Sequence, residues 1–481
     1  MDQEVGSPGK AYKWLVLVAI SIANFSAALD MSIIIVSFPR LTDVFDTDAS
    51  VVIWLAIAFS IAELGLLLTL AKVGDTIGRK KVYIVGLALY TVGMILCSIS
   101  PNITVLILSR VVQGAGAAMT LTVGSAIVVA VFPREQQGQA IGMFAMLTAV
   151  GLIAGPALGG VILDALDWQG IFYTRIPVGI ICLVMALVIV REQKEPGAQL
   201  HLDYGGAVTL LTGMSGFLLY LNLGGGRGYL SPGMVVLLAG SIVLLGVFIY
   251  LERRVVQPVL DLRFFRNRAF SMAGLTSMIQ MSAGSMCPVL IPFFLTGALL
   301  LSPSTIGMLM AIIAVPPVII SPLSGWLSDK IGNRVPMVFA TVCFSAALFF
   351  ASRLDVESET LHIALILLLF GVGMGLFTAP NQSAMIGTVP RSNLASAMGV
   401  ANAMRLLGSS IGTAIGGTLY AYRLSYNQGL IGAPDVAPGM AERIAVAESF
   451  QYVILLAAFI SVVSILTALS TGRQEKNRDA V

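Results

Sequence analysis

Between Lys13 and Arg40 lie 26 residues with one charged side chain, Asp30. A run of about 20 apolar residues is long enough to cross the hydrocarbon core of a bilayer as a helix. The chain has fourteen such runs, near 12–37, 51–72, 81–100, 103–131, 138–165, 169–190, 204–223, 230–251, 269–299, 305–328, 335–352, 361–388, 394–422 and 448–470. Within lipid no water can satisfy backbone N–H and C=O groups, so each segment must close its hydrogen bonds internally, as an α-helix does. Composition agrees: 11% of residues are charged, against roughly 25% in soluble domains. The first run follows Lys10 and Lys13, as a signal peptide's would. It is too long for an apolar core of about 7–15 residues and is expected to remain as a span.

Cytoplasmic segments of membrane proteins carry an excess of Lys and Arg. With the N-terminus placed inside, inside segments hold 19 of the 28 Lys and Arg, outside segments five, and the spans four: Lys72, Arg110, Arg175 and Arg405. This predicts both termini in the cytoplasm and an even number of spans.

Residues 133–160 and 390–417 repeat each other at one offset. Pro133-Arg134 matches Pro390-Arg391, Gly142 matches Gly399, and Gly151, Gly155, Gly159 and Gly160 match Gly408, Gly412, Gly416 and Gly417. Glycines four apart share a helix face and let a second backbone approach closely. The copies fall in spans 5 and 13, which run the same way, so the halves are parallel repeats, the architecture of a secondary transporter. Eight spans separate the copies; six make the repeating unit, leaving spans 7 and 8 as additions. The expected division is a six-helix bundle over 1–200, two additional helices over 201–255 and a second bundle over 256–481. The segment ERRVVQPVLDLRFFRNRAF before span 9 mixes Arg with apolar residues and is expected at the cytoplasmic interface.

AKVGDTIGRKK after span 2 and GWLSDKIGNRV after span 10 resemble the signature loop of the major facilitator superfamily. LDMSIIIVSFP at 29–39, RVVQGAGAA at 110–118, GLIAGPALGG at 151–160 and LDLRFFRNRAF at 260–270 look like motifs of its fourteen-span drug:proton antiporter branch. The resemblance implies an all-α membrane protein of two parallel six-helix bundles plus two extra helices. It implies a cytoplasmic latch at Asp75, Gly78, Arg79, Lys80, Asp329, Gly332 and Arg334, and packing faces at Gly151, Gly155, Pro156, Gly159, Gly160, Gly408, Gly412 and Gly416. It further implies proton-coupled efflux of amphipathic small molecules through the plasma membrane by alternating access. The chain departs from the branch at Arg175, where Asn is usual, at Leu68, where Pro is usual, and at Glu63, a position commonly apolar.

A charge at the bilayer centre costs about 2.5–3.5 kcal/mol or more, so each needs a partner, a wet cavity or a function. Asp30 and Arg110 both lie about 10 Å from the outer surface and can pair if spans 1 and 4 face one cavity. One reading makes Asp30 the proton carrier tuned by Arg110; the other is a static ion pair. Glu63, near mid-membrane, reads as a second proton site, a contact for a cation, or a packing residue. Arg175 and Arg405 read as cargo contacts or as ties between helices. Three intramembrane arginines against two acids favour an anionic or zwitterionic amphiphile, or a broad range, over lipophilic cations. Asn24, Trp54, Gln113, Asn381 and Gln382 complete the candidate cavity wall.

No phosphate-binding loop is present: the single Gly-Lys pair, Gly9-Lys10, is followed by Ala. His201 and His362 are far apart, and Cys97, Cys182, Cys287 and Cys343 fit no zinc or disulfide frame. Neither an enzyme nor a metal site is expected, and no cofactor beyond the proton gradient. The expected partners are the bilayer, an amphipathic small molecule and the proton, with no nucleic acid and one copy of the chain as the working unit. An exporter of a lipid or an anionic or zwitterionic metabolite stands as the alternative cargo class.

Overall fold

The computed structural model describes residues 10–133, 136–192, 203–255, 262–386, 394–430 and 438–471; these are helices and short turns, with no strand among them. The chain begins with α1 (Lys10–Val36), the short α2 (Phe38–Phe45) and α3 (Ala49–Val52), then α4 (Trp54–Ile77), α5 (Arg79–Ser98), α6 (Ile103–Val131), α7 (Gln137–Tyr173) and α8 (Ile176–Ile189). Two helices follow, α9 (Tyr204–Arg227) and α10 (Pro232–Glu252). The last six are α11 (Arg268–Gly297), α12 (Pro303–Ile331), α13 (Arg334–Ala351), α14 (Thr360–Ile386), α15 (Leu394–Leu430) and α16 (Pro438–Ser470).

Every apolar run falls on a helix. Ten described stretches are long and apolar enough to cross a membrane, or eleven if the bent pair Phe38–Phe45 and Ala49–Glu63 counts as one. One stretch, Met146–Ile189, holds two of the fourteen runs. The chain turns there at Asp167, which takes φ 60 and ψ −174. α8 therefore starts at Ile176, seven residues later than the apolar run suggests. α15 falls outside the ten because Asn402, Arg405 and many Ser, Thr and Gly residues lower its hydropathy. The segment before α11 forms a short 3-10 helix, Leu262–Arg266, with Phe264 buried; residues 256–261 lie outside the described set.

Local chemistry sets the helix ends. Free N–H groups in a first turn need acceptors, and Asn102 takes the Val105 N–H at 2.9 Å, Asp203 that of Gly206 at 2.7 Å and Asn267 that of Ala269 at 2.9 Å. Pro opens α8, α10 and α12, where its missing N–H costs nothing. Both signature loops turn on a glycine with positive φ, Gly78 at 120 and Gly332 at 85, a conformation that a side chain resists.

The repeated glycines pack in the same way in each half. On α7, a Cβ at Gly151 would stand 2.6 Å from Phe25 O, and one at Gly155 2.9 Å from Leu29 O; Gly159 meets Ile33. On α15, Gly408 meets Met278, a Cβ at Gly412 would stand 2.6 Å from the Ser282 carbonyl carbon, and Gly416 meets Met286. Both partners advance in steps of four, so each glycine helix lies along the first helix of its half. Without a hydrophobic drive inside lipid, such close approach is what holds helices together. The last glycine of each copy faces the other half: Gly160 meets Pro303 and Ser304 of α12, and Gly417 meets Ile53 before α4.

The apolar cores show how the halves meet. One core joins them at the end away from the termini, from Ile33, Phe38, Ile53 and Trp168 to Met286, Phe293, Ile306, Tyr420 and Phe450. At the end that holds the termini there are two separate cores. One contains Val16, Tyr83, Val131 and Val190, the other Phe270, Met337, Met385 and Ala468. Among the described residues the apolar core is shared at the far end and divided at the termini end. α9 and α10 pair with each other, and α9 lies against α4 of one half and α15 of the other.

Candidate functional site

Asp30 on α1 is fully buried. Arg110 of α6 places Nη1 2.5 Å from Asp30 Oδ2, and the Arg175 guanidinium contacts Asp30 Oδ1. Arg110 also donates to Leu55 O of α4 at 3.2 Å and to Gln113 Oε1 at 2.7 Å, and its guanidinium lies 4.4 Å from the centre of the Phe59 ring. One residue thus ties three helices to a single carboxylate. A buried acid is tolerable only when charges and hydrogen bonds offset its lost hydration, and here two cations face it.

Equal depth on α1 and α6 pointed to the Asp30–Arg110 pair. Arg175, read as a cargo contact or a helix tie, is committed to the same acid. It arrives from the corner between α7 and α8. Asp167 breaks the helix and accepts the Trp168 N–H at 2.7 Å, the chain continues for one turn, and Arg175 Nε donates back to Ile171 O at 2.8 Å. Gln113 is buried against Arg110. Asn24 bonds Thr148 of α7, and Asn381 donates to Ala273 O of α11 at 2.8 Å, so both join helices within a half. Trp54 and Gln382 are half-buried, Trp54 against the far-end core.

Glu63 is buried on α4 and its Oε2 has no hydrogen-bond partner. Arg405 of α15 is exposed, on a helix of the other half that packs against α4. No group of three or more metal-ligating side chains occurs among the described residues.

Two bundles related by a repeated glycine helix, the first with a buried charge cluster, are matched by known sequences. The model of the Major Facilitator Superfamily matches residues 20–290 and 272–480. The chain belongs to the Major Facilitator Superfamily. It is 30% identical over 420 residues to the riboflavin transporter RibZ of Clostridioides difficile, covering 86% of this chain and 90% of that one. It is 31% identical over 416 residues to the multidrug resistance protein Stp of Mycobacterium tuberculosis, covering 85% and 76%. A bacterial homologue of the human lysosomal transporter Spinster, solved in an inward-facing and unoccupied conformation, shares the fold with a TM-score of 0.63 at 15% identity, over 96% and 98% of the two chains. This facilitator is a multi-pass membrane transporter rather than an enzyme.

Its two signature loops are visible in part. The loop before α5 turns beneath Glu192: a Cβ on Gly78 would stand 2.7 Å from the Glu192 carboxyl carbon, the Lys80 N–H donates to Glu192 Oε1 at 3.3 Å, and Lys80 Nζ donates to Leu187 O at 2.8 Å. Arg79 begins α5 and Arg334 begins α13, where it is exposed. The side chains of Asp75 and Asp329 lie outside the described ones. Sequence reasoning missed Glu192, which belongs to no motif. It also missed Gly307, where a Cβ would stand 3.0 Å from the Pro156 carbonyl carbon across the two halves; its only signal is a position four residues after Pro303.

Proposed function

We propose that this facilitator exports amphipathic small molecules in exchange for protons, by alternating access between its two halves. The units of that motion are residues 1–200 and 256–481, with 201–255 bridging them. Asp30 carries the proton. Its contacts with both Arg110 and Arg175 are the observation that supports this role most. A carboxylate held by two guanidiniums keeps its charge, so protonation requires one of them to let go. Arg175 sits on the α7–α8 corner, beside the far-end seal, so opening that end withdraws it and exposes Asp30 to protons from the far side. Resealing restores the triad, expels the proton and leaves the cleft at the termini end ready for cargo. The Gly78 and Gly332 loops latch the termini end when it shuts. The excess of Lys and Arg at the termini end supports a cytoplasmic location for that end and a plasma-membrane setting. The names of the multidrug and riboflavin relatives support a ring-bearing or amphipathic cargo. An exporter of lipid or of an anionic or zwitterionic metabolite is a second reading, favoured by the exposure of Arg405.

Proteoliposomes test the reading. An imposed pH difference should drive a dansyl-labelled amphiphile against its gradient, and the Asp30→Asn, Arg175→Gln double variant should bind the amphiphile yet lose the pH dependence. Full pH-driven transport by that variant would refute the assignment.

A further inference from the structure

Arg405 stands apart from the other intramembrane charges. Asp30, Arg110, Arg175 and Glu63 are at most 5% exposed, whereas Arg405 is exposed although it lies eleven residues into α15, about 16 Å along the helix. α15 packs against α4 of the other half, which sets this exposure toward the gap between the halves. Arg405 precedes Gly408 by three residues and Gly412 by seven, so it shares the α15 face that meets α11 and turns away from lipid. Glu63 reaches the same place from the other half. α4 and α15 run antiparallel with Ile53 against Gly417, a register that sets position 63 opposite 407, within a turn of Arg405. Among the described residues Arg405 makes no ion pair within 4 Å. The charge offered to the cleft is therefore a guanidinium, while the acids are sealed.

We infer that Arg405 anchors an acidic head group on the cargo, and that Glu63 is the internal counter-charge with which that head group competes. This rests on the export reading and narrows its substrate class. The guanidinium fork matches the two oxygens of a carboxylate, sulfonate or phosphate. The half-buried Met404, next in the chain and packed on Gly274, and Met278, packed on Gly408, give a soft wall for the apolar part. A cationic head group meets the same guanidinium as a like charge and is disfavoured.

Binding to the full-length protein in nanodiscs tests this, with lipid-only discs as the blank and two dansyl probes sharing one alkyl chain. One probe ends in a carboxylate, the other in trimethylammonium. Wild type should bind the carboxylate at least tenfold more tightly. Arg405→Gln should lose at least tenfold for the carboxylate and leave the trimethylammonium unchanged or tighter. Arg405→Lys should fall between, keeping the charge without the fork. Glu63→Gln should tighten carboxylate binding. Equal loss of both probes in Arg405→Gln, or a wild-type preference for trimethylammonium, overturns the inference. Absence of pH-driven transport together with this binding pattern would defeat the export reading and leave the anchor in place.

Discussion

Arg175 contacts Oδ1 of Asp30, the oxygen that Arg110 leaves free, so a single carboxylate answers two guanidiniums. The cluster carries one net positive charge, which fixes the signs of its variants. Asp30→Asn leaves two buried guanidiniums facing each other, and removal of one partner from a buried pair costs about 3–5 kcal/mol. Arg175→Gln leaves a neutral Asp30–Arg110 pair and should cost much less. The double variant should therefore melt above Asp30→Asn alone. Thermal unfolding in detergent gives all three values, and a double variant melting below Asp30→Asn would refute this charge balance.

The Asp30–Arg110 pair was legible because both residues sit at one depth on straight helices, where 1.5 Å per residue suffices. Arg175 was not, because its direction is set by the left-handed Asp167 and the turn after it, and helical spacing says nothing beyond a break. The glycine faces were legible from their period of four. Their partners Phe25, Leu29, Met278 and Ser282 were not, since a period names a face without naming what lies on it. Glu192 escaped for a similar reason: a loop residue reaches the Lys80 backbone N–H across 112 positions, and no local pattern marks such a contact.

Equivalent glycines should respond equally. Valine at Gly151 or at Gly408 meets backbone at Phe25 or Met278, and overpacking of this kind costs about 1–3 kcal/mol. Gly240 of α10 has open space where a Cβ would go, so Gly240→Ala should be neutral or stabilise by up to about 1 kcal/mol. Melting curves of the three variants check the pattern; a Gly408→Val protein as stable as wild type would contradict the packing.

The far-end seal depends on small residues. A Cβ on Gly160 would stand 2.8 Å from Ser304 Cα, so Gly160→Val should hold the halves apart there. Cys287, 1% exposed in the shared core, reports on it. With the other three cysteines replaced by serine, maleimide should label Cys287 slowly in the parent and at least tenfold faster in Gly160→Val. Equal labelling rates would show that the seal tolerates the added bulk.

At the same end Arg40 donates to both oxygens of Asp167, at 3.0 and 2.8 Å. The Arg40 hydrogen bonds hold the Asp167 carboxyl below the usual carboxylate range. A lowered carboxylate contributes stability above its unfolded value and loses it as pH falls through the folded value. Arg40→Gln should therefore destabilise by about 0.2–1 kcal/mol at any pH from 5 to 8, and the difference should vanish only in strong acid. A difference that grows between pH 6 and 8 would point to another group.

Proton release on cargo binding tests the account most directly. Cargo selects the form with the far end sealed and the triad restored, so purified protein in weakly buffered detergent with a pH indicator, titrated between pH 5 and 8 with an amphiphile it transports, should release protons from the far-open, protonated fraction, at most about one per cargo bound. Glu63→Gln should keep that release. The Asp30→Asn, Arg175→Gln protein should bind cargo and release none. Wild-type release from that double variant would contradict the account, because the exchanged proton would then sit elsewhere.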